Sequence, residues 1–161
     1  MSTPEYRGVR GSAFPIVRDD AGSAIKVVAG SFEGAVGPVD QLPVDPTYLD
    51  VTMRPGETFR APTVPGHTTF AYPVEGGARF DPVSKDVISE REVAVYGDGD
   101  SVEVTAGPEG VRFLLVSGRP LHEPVAWYGP IVMNRPEELQ EAMRELRRGD
   151  FIKDKKPVVD E

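Results

Sequence analysis

The sequence predicts an all-β fold, a single β-sandwich or jelly-roll barrel with one C-terminal helix. Three observations carry that prediction. Short segments in which apolar and polar side chains alternate recur between turn residues at intervals of roughly eight to twelve positions. The 16 prolines in 161 residues, about twice the usual share, favour turns and short strands over long helices. A helical period appears only near the end of the chain, where Leu139, Met143 and Leu146 fall at i, i+4 and i+7.

Residues 1–23 are turn-rich and without sustained period, and read as an arm or linker. The expected domain spans 24–150, followed by a solvated tail at 151–161. Its first strand is Ile25–Gly30. In Tyr48–Met53, Leu49, Val51 and Met53 alternate with polar neighbours, which marks a half-buried strand. Arg54-Pro55-Gly56-Glu57 is a turn, with proline fixing φ and glycine free to take positive φ. Thr68–Val74 and Arg91–Tyr96 are the next strands, ended by Gly76-Gly77 and by a hairpin turn at Asp98-Gly99-Asp100. Ser101–Ala106 alternates and closes at Gly107–Gly110. Val111–Val116, apolar at nearly every position, reads as a strand covered on both faces. Asn134-Arg135-Pro136-Glu137 resembles a helix start with Asn134 as cap. Acidic Glu137 and Glu138 open the helix, Arg147 and Arg148 close it, and Gly149 stops it; its apolar stripe is expected to lie against the barrel.

The formal net charge of −8 argues against a nucleic-acid surface, because phosphate binding draws on clustered Lys and Arg. No apolar run approaches the ~20 residues that cross a bilayer. The chain is therefore expected to be soluble and cytoplasmic. With no cysteine there is no disulfide, thiolate metal site or cysteine nucleophile.

Two glycine frames carry the functional question. The first is Gly56-x5-Pro62-x-Val64-x4-Thr69-x6-Gly76, and the second is Gly99-x5-Thr105-x-Gly107-x2-Gly110-x3-Leu114. These spacings resemble the two motifs of the cupin superfamily, whose members hold a metal with three His and one Glu. In the frame, Pro62, Val64, Thr69 and Gly110 stand at the four ligand positions. Proline and valine offer no ligating atom, glycine offers only backbone, and a threonine hydroxyl is a poor ligand for the metals concerned. With two histidines in the chain, three from one subunit is impossible. No metal or other cofactor is expected in this barrel.

His67, beside Pro65-Gly66, reads as a turn histidine. The alternative makes His67, Thr69 and Tyr72 a ligand pocket at the barrel mouth. His122 and Glu123 are adjacent on extended chain and point to opposite faces, so they do not share an ion. Trp127 and Tyr128, beside Gly129-Pro130, read as packing residues with a ligand-lining alternative.

Several further segments resemble the C-terminal half of the pirin family. They are Gly30-x-Phe32-x-Gly34, Thr47–Val51, Val74-Glu75-Gly76, Gly97–Asp100, Arg112–Val125 and Gly129–Asn134, the stretch from Arg112 to Asn134 being the most specific. The resemblance implies a bicupin ancestry of two stacked barrels, with iron held in the N-terminal barrel. It also implies either an activity similar to quercetin 2,3-dioxygenase or a co-regulatory role. The ligand-bearing barrel has no counterpart here, and none of the family's metal ligands maps to a residue of this chain. The expectation is a non-catalytic structural or interaction module, forming a homodimer or pairing with a partner cupin domain that supplies any iron or other transition metal. The alternative is a small-molecule binder or metal-dependent dioxygenase with its site at the barrel mouth.

Overall fold

A computed structural model describes residues 8–20, 22–39 and 42–153. They divide into two compact units, Gly8–Pro120 and the segment from Leu121 onward. Residues 1–7 of the expected arm and 154–161 of the expected tail lie outside the described residues.

The first unit is all β. Its strands are β1 (Ile16–Arg18), β2 (Ala24–Ala29), β3 (Ser31–Phe32), β4 (Ala35–Val36) and β5 (Thr47–Met53). β6 (Thr58–Pro62), β7 (Thr68–Arg79), β8 (Ile88–Ser89), β9 (Ala94–Val95) and β10 (Ser101–Gly118) follow. One antiparallel sheet runs β1-β2-β5-β10-β7-β8, with β6 also paired to β10 and β9 to β7. The long strands β7 and β10 bend and serve two walls. The first half of β10 lies beside β6, with Val104 opposite Phe59, and its second half lies beside β5, with Phe113 opposite Val51.

Alternation sets the inner face. In β5 Leu49, Val51 and Met53 are buried, and in β10 Val102, Val104, Phe113 and Leu115 are buried. Phe32, Phe59, Phe113 and Phe80 form a continuous aromatic file, with successive ring centroids 5.7, 5.9 and 5.3 Å apart.

The structure lengthens two strands that the glycines were expected to end. β7 passes through Gly76-Gly77, and β10 passes through Gly107 and Gly110. The ladder shifts register between Ala106 and Val111, where Gly110 at φ +80° and, on the facing strand, Gly76 at φ +68° form a bulge, so the strand bends instead of stopping. Gly76 faces Val111 there, and a Cβ on Gly76 would collide with the carbonyl oxygen of Gly110. Arg91–Tyr96 shrinks to the two residues of β9, because Arg91 takes a turn conformation at φ +74°. Asp98-Gly99-Asp100 is a bend between walls and not a hairpin turn, since β9 pairs with β7 and β10 begins against β6. Part of the expected arm is strand: β1 pairs with β2.

The second unit comprises the hairpin β11 (Ala126–Tyr128) and β12 (Ile131–Met133), with α1 (Pro136–Arg148) packed on it. Pro136 occupies the first turn, which moves the N-cap from Asn134 to Arg135. The Arg135 backbone N–H donates to Glu138 Oε2 (3.0 Å), while Asn134 Nδ2 donates to Glu123 Oε2 (2.8 Å). Gly149 stops the helix as expected, at φ +76°, with Asp150 N–H donating to the Glu145 carbonyl. Among the described residues no helix is long and apolar enough to cross a membrane.

Candidate functional site

The ligand-frame positions do not converge. Pro62 and Val64 are exposed, Val64 by 52%, whereas the inward side chains of the same segment are Phe59 and Ala61. Spacing along the chain places these residues at the right distance from Gly56 but on the wrong side of the strand. Thr69 is buried, and its Oγ1 donates to Ser117 Oγ across the β7–β10 pair (3.0 Å). Gly110 is buried at φ +80°, and a Cβ there would lie 2.7 Å from the Met53 carbonyl oxygen. That position therefore admits glycine alone.

The expected pocket of His67, Thr69 and Tyr72 is not assembled. Thr69 faces the core, whereas Tyr72 lies on the outer face of the sheet opposite Leu114. His67 sits in its turn with backbone N–H donating to the Val64 carbonyl (3.0 Å). Its Nδ1 is buried, without a hydrogen-bond partner among the described residues. His122 takes φ +54° in the connection before β11, separate in sequence and unit from His67.

A residue the sequence reading missed is Tyr96. Its backbone N–H donates to the Thr69 carbonyl (3.0 Å), its ring packs on the core, and its hydroxyl is buried without a partner among the described residues. Burial, reinforced by the charge of Asp81, holds the phenol proton on far above its ordinary range. The sequence carried no signal for the inward turn of Tyr96: the alternation of Val93 and Val95 suggests that those two point inward, whereas Ala94 is buried and Val95 exposed.

The charged cluster of the barrel lies on the outer face. Arg112 donates from Nε and Nη2 to the two oxygens of Asp50 (2.9 Å each), with Lys26 and Glu75 at 3.6 Å from this pair. The Arg112 hydrogen bond holds the Asp50 carboxyl below its ordinary range against the opposing cost of burial, with the Arg112 and Lys26 charges adding. Asp50 pushes Arg112 upward in turn. Paired and bidentate, these groups brace the β5–β10 ladder and offer no vacant acid or base.

A cupin scaffold implies a transition metal, and the residues inside this barrel do not fit one. The inward positions near the frame carry hydrocarbon from Phe59, Ala61, Val102 and Val104, and the buried hydroxyls of Thr69 and Ser117 bond to each other. Among the described residues no three His, Asp or Glu side chains group at metal-holding separation.

Comparison with known proteins agrees with this architecture. The family described as the Pirin C-terminal cupin domain matches residues 48–152. A pirin-like protein of Caulobacter vibrioides is 35% identical, the alignment covering 94% of this chain and 54% of that protein. Pirin of Homo sapiens is 34% identical, over 91% of this chain and 51% of its own length. A crystal structure described as quercetin 2,3-dioxygenase from Acinetobacter baumannii superposes with a TM-score of 0.83 at 29% identity, covering 92% of this chain and 51% of that one. The chain spans about half the length of these relatives.

Proposed function

This chain belongs to the pirin family through its C-terminal cupin domain, and from that premise we propose that it is a non-catalytic cupin module that works by association. It pairs with a second copy of itself or with a metal-bearing cupin barrel, in the cytoplasm. The observation that carries this reading is the filling of the barrel: hydrocarbon side chains from Phe59, Ala61, Val102 and Val104 occupy the inward positions of the motif walls. Glycine at 110 supports it, because the local backbone leaves no room for a ligating side chain. Any iron or other transition metal belongs to a partner barrel.

Metal analysis of the purified chain, combined with oxygen uptake on quercetin, tests the reading. The expected result is metal far below one equivalent and no uptake. Near-stoichiometric iron, copper or nickel that disappears in His67→Ala, together with uptake, overturns it.

A second reading has specific support. The similar Acinetobacter baumannii structure is described as a quercetin 2,3-dioxygenase, and His67 keeps a buried Nδ1 without a hydrogen-bond partner among the described residues. On this reading the chain is a small-molecule binder or a metal-dependent dioxygenase with its site near His67. The same experiment separates the dioxygenase from the module.

A further inference from the structure

The hairpin and helix after Leu121 leave much of their apolar surface uncovered. Ala126, Ile131 and Ala142 are buried, but Trp127 is 73% exposed, Tyr128 63% and Val132 59%. Trp127 and Val132 are cross-strand partners and share a face of the hairpin. Between hairpin and helix runs an open groove of about 610 Å³, lined by Trp127, Tyr128, Leu139, Met143, Arg144 and Arg147. Tryptophan, tyrosine, methionine and arginine are the residues enriched where proteins bind one another. The Trp127 indole is already fixed by its Nε1–H bond to the Gly129 carbonyl (2.6 Å), so little rotamer freedom remains to be lost on docking.

The charges on α1 indicate the occupant. Glu137, Gln140, Arg144 and Arg147 fall at i, i+3, i+7 and i+10, one row along the helix. Most helix charges are matched within the chain: Glu138 with Arg135, Glu141 with Arg144 and Arg148, and Glu145 with Lys153. Among the described residues Glu137 and Arg147 have no ion-pair partner; Arg147 Nε donates only to the Met143 carbonyl (3.2 Å). These two charges stand ten residues apart, about 15 Å along the axis. A twofold rotation level with Ala142 reverses the helix and sets the unmatched cation of each copy on the unmatched acid of the other.

We propose that this face is a homodimer interface in which α1 packs antiparallel on α1 of a second copy, Trp127 of each copy enters the other's groove, and Arg147 of each meets Glu137 of the other. Such an interface is isologous and closed, which suits a self-complementary row of charge. The aromatic anchors supply affinity and the two rim pairs fix direction and register. The inference rests on the association reading and names the surface and the partner for it.

Sedimentation velocity, read beside the emission of the chain's single tryptophan, tests it. A dimer is expected whose formation shifts Trp127 emission to the blue. Arg147→Glu or Glu137→Arg alone should weaken it about tenfold or more, and the double exchange E137R/R147E should recover most of the loss. Thermal unfolding of the dilute variants confirms that each is folded. A dimer indifferent to Arg147→Glu and Trp127→Ala overturns this interface and leaves association by another surface standing. A monomer at all concentrations also overturns it, while the metal analysis decides the module reading separately. An emission shift caused by deleting residues 154–161 from a monomer overturns it too, by assigning the groove to the chain's own segment.

Discussion

The barrel unit and the hairpin–helix unit bury their largest side chains in opposite ways. In the barrel, Phe59 and Phe113 are wholly inaccessible to solvent. In the hairpin–helix unit the one tryptophan of the chain is mostly in water. The barrel closes a complete aromatic file from its own strands, whereas the second unit buries little beyond two alanines and an isoleucine. The first unit therefore hides its large apolar side chains within itself, while the second leaves them at the surface proposed above for association.

The comparison breaks most readily at Phe113. Phe113→Ala should destabilise the barrel by about 3–5 kcal/mol in denaturant unfolding, since two ring neighbours lose their contact. Trp127→Ala should leave the unfolding midpoint of the dilute chain within about 0.5 kcal/mol of the parent. Equal losses in the two variants would erase the distinction. Gly76→Ala comes next, because its methyl group meets the Gly110 carbonyl oxygen at positive φ. A loss of about 2–3 kcal/mol is expected by thermal unfolding, and an unchanged melting temperature would mean that the crossing can open.

A smaller effect is expected at Asp50. Its folded pKa lies below the ordinary carboxylate value, so its contribution is fully present above that ordinary value and is lost as pH falls through the folded one. Asp50→Asn should cost about 1–2 kcal/mol at neutral pH and flatten the stability profile below about pH 4. A mutant curve parallel to the parent in acid would show that other carboxylates govern that limb. Smallest is Arg91→Gly, which relieves a non-glycine residue at φ +74° and should stabilise by up to about 1 kcal/mol in the same assay.

Legibility in the sequence followed the strength of local alternation. β5 was readable because period two persists through Tyr48–Met53, and β2 and the second half of β10 because they are short apolar runs bounded by glycine, though the second half of β10 is buried on one face and only half-buried on the other. β6 was missed: five residues ending in proline look like a continuation of the preceding turn. The glycines of β7 and β10 misled because glycine ends some strands and bends others, and only the facing strand decides which. The helix was readable to within one residue at its cap, through Pro136 and Gly149. For the site, spacing reported distance along the chain but not phase across it, which is why Pro62 and Val64 fell outside while Phe59 and Ala61 lay within. Tyr96 was hidden by a strand only two residues long.

The crossing of β7 and β10 at Gly76 and Gly110 has a consequence for redesign. Main chain rests on main chain there, so a histidine grafted at position 110 would meet the Met53 carbonyl oxygen and have to push β10 away from β5. An ion-binding descendant of this barrel is thus out of reach of single substitutions at that site, and would first need an altered backbone.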